Sequence, residues 1–223
     1  QVFKTIQDDI SIRAVILRGK NGHFCAGGDI KDMAQLRGEA TSVGSNQPYV
    51  DFNRQFGHML EQVDQAPQTV VAVLEGAVLG GGFGLAQACQ IIVSSEKSRF
   101  AMPETAIGFF PDVGATHFLS RLDDIGVCMA VTGEQISSSD ALHLDLIDYL
   151  VPSEQLQQLQ TELGHAAQLT QQSIEQTIAR YLKEPAPSEL KQYEDAIRQH
   201  FSHAELAQIE DSLANTLDSD YMD

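Results

Sequence analysis

The stretch VVAVLEGAVLGGGFGLA, residues 70–86, decides how this chain folds. It begins with five consecutive apolar residues rich in valine, Val70 to Leu74, and such a run is typical of a strand buried on both faces of a parallel sheet. Three consecutive glycines, Gly80 to Gly82, then predict a turn that opens a helix of small residues. A second apolar run, Ile91 to Val93, predicts another strand, so the stretch and its continuation favour a strand–helix–strand arrangement.

The glycine triplet Gly80 to Gly82 has two interpretations. It leaves the first N–H groups of the helix without partners, at the positive end of the helix dipole, and such a corner can hold an anion or an oxyanion. It also allows close packing of the helix on the strand, with no ligand at all. The triplet lacks the Lys-Ser/Thr of a P-loop and the spacing of a dinucleotide fingerprint, so nucleotide phosphates are not the expected anion.

A second glycine corner, FCAGGD at residues 24–29, reads as a short strand that breaks into Gly27-Gly28 before a helix from Asp29 onward. A loop at residues 100–114 carries two carboxylates, Glu104 and Asp112. Glu104 is either a carboxylate bonded to nearby backbone or a catalytic group, and Asp112 is either a catalytic group or the N-cap of a helix that begins at Val113. His117, beside this loop, is interpreted as a structural histidine.

Composition excludes several function classes. The 223-residue chain has a formal net charge of −17, which argues against a nucleic-acid partner because phosphate binding needs a basic surface. No apolar run approaches the length of a membrane span. The three cysteines and seven histidines show no metal-ligand spacing, so no metal is expected and the cysteines are predicted to be small buried hydrophobes. Four basic residues near the start are either solvated or available to a small anionic ligand: Arg13, Arg18, Lys20 and Lys31.

Strand and helix patterns alternate along the rest of the chain, which predicts an α/β fold. Strands are predicted at Ile12–Leu17 and Ile147–Val151. Helices are predicted at the following places: residues 1–10, Asp51–Val63, Val113–Leu122, Ile125–Val131, after the cap Ser137–Asp140, and in amphipathic segments from Glu154 to the end.

Three motifs together carry a resemblance to a known family: FCAGGD at 24–29, LGGG at 79–82 and MPETAIG at 102–108. Their order and spacing resemble the crotonase (enoyl-CoA hydratase/isomerase) superfamily, and residues 102–114 look most like its 3-hydroxyisobutyryl-CoA hydrolase branch. The resemblance implies a spiral of β-β-α units over 1–165 and the start of a C-terminal helical region at 166–223. Family members begin with a strand and helix upstream and continue with helices downstream, so an internal portion of a longer protein is expected.

The resemblance also implies roles for individual residues. The oxyanion hole would take one backbone N–H from Gly28 and one from Gly81, and the backbone near Ala26 would hold the adenine of coenzyme A. The hydrolase branch has a substrate-contacting glutamate in the helix after the variable loop. This sequence offers Gln55 or Asp51 at that place, and Gln55 is taken as the substrate-binding candidate.

The two carboxylates distinguish the branches of the family. Hydratases carry a glutamate two residues after the glycine triplet, where this chain has Gly84, as well as one at the position of Glu104. Glu104 and Asp112 with glycine at 84 match the hydrolase pattern, which implies that both are catalytic. The expected reaction is hydrolysis of 3-hydroxyisobutyryl-CoA, or a similar short 3-hydroxyacyl-CoA, in valine breakdown. An enoyl-CoA hydratase or isomerase and a non-catalytic acyl-CoA-binding protein are the alternatives.

The same resemblance makes coenzyme A part of the substrate, with no separate cofactor. It allows a homo-oligomer. The expected location is cytoplasmic in a bacterium and the mitochondrial matrix in a eukaryote.

Overall fold

The computed structural model describes residues 2–29, 31, 47–166 and 169–216, and within them two small sheets. Their seven strands are β1 (Ala14–Arg18), β2 (Thr69–Leu74), β3 (Ala77–Leu79), β4 (Ile91–Ser94), β5 (Arg99–Ala101), β6 (Ile136–Ser137) and β7 (Tyr149–Leu150). The α-helices of the described residues are α1 (Val2–Asp8), α2 (Gln47–Asp64), α3 (Gly81–Gln87), α4 (Ala115–Leu119), α5 (Asp123–Thr132), α6 (Ser138–His143), α7 (Leu156–His165), α8 (Gln171–Ile178), α9 (Glu194–Phe201) and α10 (Leu206–Ala214). The mixture of parallel strands and helices confirms the α/β class.

The larger sheet is parallel, with strand order β1-β2-β4-β7. Its register pairs Val71 with Ile91, and Ile16 with Val71 on the other side. From Val70 to Leu74 every residue of β2 is buried, because helices and the second sheet cover both faces. This is the environment that the unbroken valine-rich run of β2 predicts. The strands predicted at Val70 to Leu74 and at Ile91 to Val93 are both confirmed.

The smaller sheet contains β3, β5 and β6, with β3 parallel to β5 and β5 antiparallel to β6. Strand β3 was not predicted from the sequence, because three residues between two glycines carry too little pattern. The predicted strand around Phe24 is reduced to one isolated bridge, between Cys25 and Val78. The amide of Phe24 nevertheless donates to the carbonyl of Glu75 at 2.8 Å, so this segment runs along the sheet edge.

Two apolar cores support the sheets. In the first, the ring of Phe83 on α3 packs between Phe100 and Phe118, with centroid distances of 5.3 and 5.0 Å. Ile197 and Phe201 of α9 are buried in the same core. The second core lies between β2 and β4 and the helices α7 and α8. Each fully buried side chain of this size contributes about 1.5–3 kcal/mol, so α3 is held firmly by its one aromatic residue.

Most predicted helices are confirmed, with shifted ends. The capping box at the start of α6 is present, since Ser137 and Asp140 bond each other's backbone reciprocally. The helix predicted from Val113 begins at Ala115 instead. The helix predicted from Asp29 onward falls mostly outside the described residues. The division into 1–165 and 166–223 stays a prediction.

In the part of the chain that the structure describes, no helix combines the length and apolarity that crossing a membrane requires. The same residues contain no cluster of three potential metal ligands from His, Cys, Asp and Glu.

Candidate active site

All of the predicted site residues except Gln55 line one cavity of about 250 Å³. Four segments line it: the turn at 26–28, the inner face of α2, the glycine corner before α3 and the loop at 103–113. The lining residues are Ala26, Gly27, Gly28, Asn53, Phe56, Gly80, Gly81, Pro103, Glu104, Ala106, Ile107, Phe109, Asp112 and Val113. Ala26, Gly28, Gly81, Glu104 and Asp112, which are far apart in sequence, are therefore brought to one place.

The two glycine corners are packed against each other. The Leu79 amide donates to the Cys25 carbonyl at 2.9 Å, and the Cys25 amide donates to the Ala77 carbonyl at 3.0 Å. A Cβ atom on Gly82 would lie 2.6 Å from the Cβ of Cys25, and closer still to the Cys25 carbonyl oxygen. Only a glycine allows this approach, so the triplet serves close packing as well as any binding role.

Gly27 allows the glycine corner at residues 24–29 to approach the glycine corner at Gly80 to Gly82. Its φ of +97° is one that residues with a side chain rarely adopt, and a Cβ there would lie 3.8 Å from the amide nitrogen of Gly81. Gly81 is the first residue of α3, whose opening N–H groups have no acceptor within the helix. The turn containing Gly28 thus lies directly beside the N-terminus of α3, and both line the same cavity.

Glu104 lies in a single 3₁₀ turn, Pro103–Ile107, and is half-buried. One carboxylate oxygen, Oε1, lies against Gly80, where a Cβ would be 2.6 Å away. The other, Oε2, is buried and has no hydrogen-bond partner among the described residues. Burial raises the pKa of Glu104 above its ordinary value, and the nearby charge of Asp112 raises it further. A buried carboxylate with a raised pKa and a free oxygen in a cavity is a candidate general base or nucleophile.

Asp112 does not cap the helix that follows it, so that alternative is wrong. The N-cap of α4 is Gly114, without a side-chain hydrogen bond, and only the backbone carbonyl of Asp112 accepts from Ala115, at 2.8 Å. The side chain of Asp112 lines the cavity instead, and burial raises its pKa. This leaves its carboxylate available to the site.

Position 84 has no room for a side chain. A Cβ on Gly84 would lie 2.8 Å from Cγ2 of Val113, and closer to the Val113 carbonyl oxygen. Val113 itself has a φ of +48°, a left-handed conformation that is strained for a β-branched residue. The loop that carries Asp112 is therefore pressed onto α3 at the position where a hydratase would carry its first glutamate.

Helix α2 contributes Asn53 and Phe56 to the cavity, and neither residue was predicted from the sequence. Gln55, its candidate, is exposed and does not line the cavity, and Asp51 accepts a hydrogen bond from Arg54 at 3.1 Å. The spacing of the apolar residues in α2 already indicated which face of the helix points inward. Phe56 lies on the stripe that ends at the fully buried Val63, and Gln55 lies off it.

Other candidate groups lie apart from the cavity. His117 is exposed and contacts Arg121, and Arg18 donates to the side chains of Gln157 and Gln160. All three cysteines are free and partly buried, and burial raises the pKa of the Cys89 thiol to about 12. None of these residues lines the cavity.

Comparisons with known proteins identify the family and the fold. The family model for enoyl-CoA hydratase/isomerase matches residues 1–222. The mitochondrial 3-hydroxyisobutyryl-CoA hydrolase of Xenopus laevis is 33% identical over 218 residues, which are 95% of this chain and 55% of that protein. The 3-hydroxyisobutyryl-CoA hydrolase 1 of Arabidopsis thaliana is 34% identical over 165 residues, covering 73% of this chain and 42% of that protein.

Among solved structures, an enoyl-CoA hydratase from Rhodobacter sphaeroides 2.4.1 superposes with a TM-score of 0.82 at 29% identity, covering 96% of this chain and 60% of that one. A carnitinyl-CoA dehydratase from Mycobacterium thermoresistibile gives a TM-score of 0.82 at 25% identity, with 99% and 62% covered. The chain spans about half the length of the curated relatives it matches.

Proposed function

This chain belongs to the enoyl-CoA hydratase/isomerase (crotonase) family, and from that premise we propose that it is an acyl-CoA thioester hydrolase. One observation carries the proposal: a buried carboxylate oxygen of Glu104 without a partner among the described residues, in a cavity shared with the two glycine corners. The lack of space at Gly84 supports hydrolysis over water addition, because a second glutamate on α3 has no place. The curated relatives named above as hydrolases support the same choice.

In the proposed reaction the acyl carbonyl oxygen accepts hydrogen bonds from the N–H groups of Gly28 and Gly81. Negative charge develops on this oxygen when the carbonyl carbon becomes tetrahedral. Backbone donors that are already in position stabilise that charge, and each such donor contributes about 3–4 kcal/mol in well-studied oxyanion holes. The thiolate of coenzyme A is then expelled as the carbonyl re-forms.

Glu104 supplies the attack in one of two ways. Its carboxylate either adds to the carbonyl carbon, giving a mixed anhydride that water then cleaves, or removes a proton from a water that adds directly. Both routes need the ionised form and a free oxygen atom. Asp112 would orient a 3-hydroxyl of the substrate or share in proton transfer.

The proposed substrate is 3-hydroxyisobutyryl-CoA or a similar short 3-hydroxyacyl-CoA, which places the reaction in valine breakdown. The backbone near Ala26, at the cavity rim, would hold the adenine of coenzyme A, and no separate cofactor is required. In a eukaryote the proposed location is the mitochondrial matrix, since relatives such as that of Xenopus laevis are named as mitochondrial.

Glu104→Gln tests the proposal, because it keeps the shape of the side chain and removes its basicity. With 3-hydroxyisobutyryl-CoA in a free-thiol assay, turnover should fall to background while calorimetry shows the thioester still bound. Glu61→Gln, on the exposed face of α2, is the matched control and should retain full turnover. Substantial hydrolysis by Glu104→Gln would overturn the assignment. Hydration of crotonyl-CoA without thiol release would identify a hydratase, and binding of thioesters without any turnover would identify a non-catalytic binder.

A further inference from the structure

We propose that Phe56 determines specificity by selecting an apolar substituent, such as a methyl group, over a hydroxyl on the carbon next to the thioester carbonyl. The inference rests on the proposed function, because that function puts the acyl carbonyl oxygen on the amide of Gly81. It concerns only the α carbon. A hydroxyl further along the acyl group has polar partners in the cavity, since Asn53 and Asp112 also line it.

The ring of Phe56 covers the glycine corner. Its atoms Cζ, Cε2 and Cε1 lie 3.3, 3.8 and 3.9 Å from the point that a Cβ on Gly81 would occupy. An oxygen bonded to the Gly81 amide would lie about 2.9 Å from the nitrogen. Because the ring lies against Gly81 and lines the same cavity, it is a wall of the space that the carbonyl group and the carbon attached to it would occupy. The surface that this carbon meets is therefore aromatic.

An aromatic wall distinguishes a methyl group from a hydroxyl through desolvation. A methyl group gains contact with the ring and loses no hydrogen bond on leaving water. A hydroxyl loses its hydrogen bonds to water, and the ring edge offers no equivalent replacement. The wall thus favours thioesters with a carbon branch at the α position, a class that includes 2-methyl acyl groups with or without a 3-hydroxyl.

The helix fixes the position of this ring. Phe56, Leu60 and Val63 follow one another at spacings of four and three residues, so they lie on one face of α2. Val63 is 0% exposed, which anchors that face against the protein, and Asn53 lies on the same face one turn earlier. The neighbouring Gln55 is exposed and cannot exchange places with the ring without rotation of the whole helix.

Two matched comparisons test the proposal. Isobutyryl-CoA and 2-hydroxypropanoyl-CoA differ only by a methyl in place of a hydroxyl on the α carbon, and Phe56→Leu and Phe56→Gln differ in polarity at similar size. In the free-thiol assay, the natural protein and Phe56→Leu should favour isobutyryl-CoA by about 10- to 100-fold in kcat/KM. Phe56→Gln should bring the ratio close to one. The same ratio in all three proteins would overturn the proposal.

Binding measurements separate this inference from the proposed function. In the Glu104→Gln background, calorimetry gives the dissociation constants of both thioesters without turnover, and thermal melting confirms that each variant is folded. If the natural protein cleaves neither thioester, the binding ratio still tests Phe56, and the proposed function fails only if 3-hydroxyisobutyryl-CoA is not cleaved either. A binding preference for isobutyryl-CoA that Phe56→Gln abolishes supports the role, whereas equal binding in all variants contradicts it.

Discussion

Gly82→Ala tests most directly whether the contact between the two glycine corners creates the site. The new Cβ would lie 2.6 Å from the Cβ of Cys25, whereas ordinary carbon–carbon contacts are about 3.5–4 Å, so the two segments must separate by about 1 Å. The hydrogen bond from the Leu79 amide to the Cys25 carbonyl, now 2.9 Å, would be lost at that separation. Overpacking costs about 1–3 kcal/mol and the hydrogen bond about 1 kcal/mol, so the free energy of unfolding should fall by about 2–4 kcal/mol.

The same displacement should reduce catalysis by more than the loss of stability explains. A shift of about 1 Å between catalytic groups costs about 10²-fold in rate, and the amides of Gly28 and Gly81 sit on opposite sides of the opened contact. Urea unfolding gives the stability, and the free-thiol assay gives kcat for the fully folded fraction. Removing the Cys25 sulfur in a Gly82→Ala/Cys25→Ala double variant should not restore activity, because the carbonyl and the Cβ remain.

Gly57→Ala is the matched control for the Gly82 variant. Gly57 lies inside α2, and a Cβ there would meet nothing within 4 Å. Alanine should therefore raise the free energy of unfolding by about 0.5–1 kcal/mol through helix propensity, with kcat unchanged. If Gly82→Ala behaved like this control, the two corners would not depend on their close contact, and the oxyanion hole would have to be sought elsewhere.

Four further predictions concern the carboxylates and their surroundings. Gly84→Glu should not produce water addition to crotonyl-CoA, measured by the absorbance of the enoyl thioester, and should lower Tm because its side chain displaces the loop that carries Asp112. The kcat/KM of hydrolysis should rise with pH as Glu104 ionises, with a pKa above its ordinary value of 4.5. Asp112→Asn should shift this rise to lower pH, because the charge of Asp112 raises the pKa of Glu104. A pH–rate profile that Asp112→Asn leaves unchanged would contradict this interaction between the two carboxylates. Because the folded state favours protonated Glu104, its ionisation costs stability as pH rises past 4.5, so Glu104→Gln should raise Tm at about pH 7 and leave it unchanged at about pH 3. Asp140→Ala should lower the free energy of unfolding by about 2–4 kcal/mol and expose the loop before Ser188 to proteases, because the buried Asp140 carboxylate accepts a 2.7 Å hydrogen bond from that hydroxyl.

The sequence predicted the central strands β2 and β4 of the parallel sheet well because nearly all of their residues are buried. Strand β2 is covered on both faces, so each position needs an apolar residue and the local pattern alone identifies the strand. Strand β3 could not be predicted from the sequence, for the opposite reason. It has three residues, and what makes it a strand is parallel pairing with β5, about twenty residues away, on which the local sequence carries no information.

The cavity-lining residues that lie in short local motifs could be predicted from the sequence. Those whose place depends on how α2 packs against the cavity could not. Gly28, Gly81, Glu104 and Asp112 lie in short motifs, and the structure brings all four to one cavity. The contribution of α2 depends on which face of the helix meets the cavity. The choice of Gln55 followed the expected polar residue type, whereas the apolar stripe through Phe56 already fixed the inner face.

The contact between Gly84 and Val113 connects the packing of the fold with the proposed reaction. A left-handed backbone at a valine costs about 1–3 kcal/mol, so the surrounding packing must hold Val113 in place. That packing is possible only because Gly84 has no side chain, and it carries the adjacent Asp112 into the cavity where its charge raises the pKa of Glu104. Glycine at position 84 is therefore more than a missing glutamate. In the proposed reaction the second acid lies on the loop opposite α3, where Asp112 would act on a substrate hydroxyl or share in proton transfer while Glu104 supplies the attack.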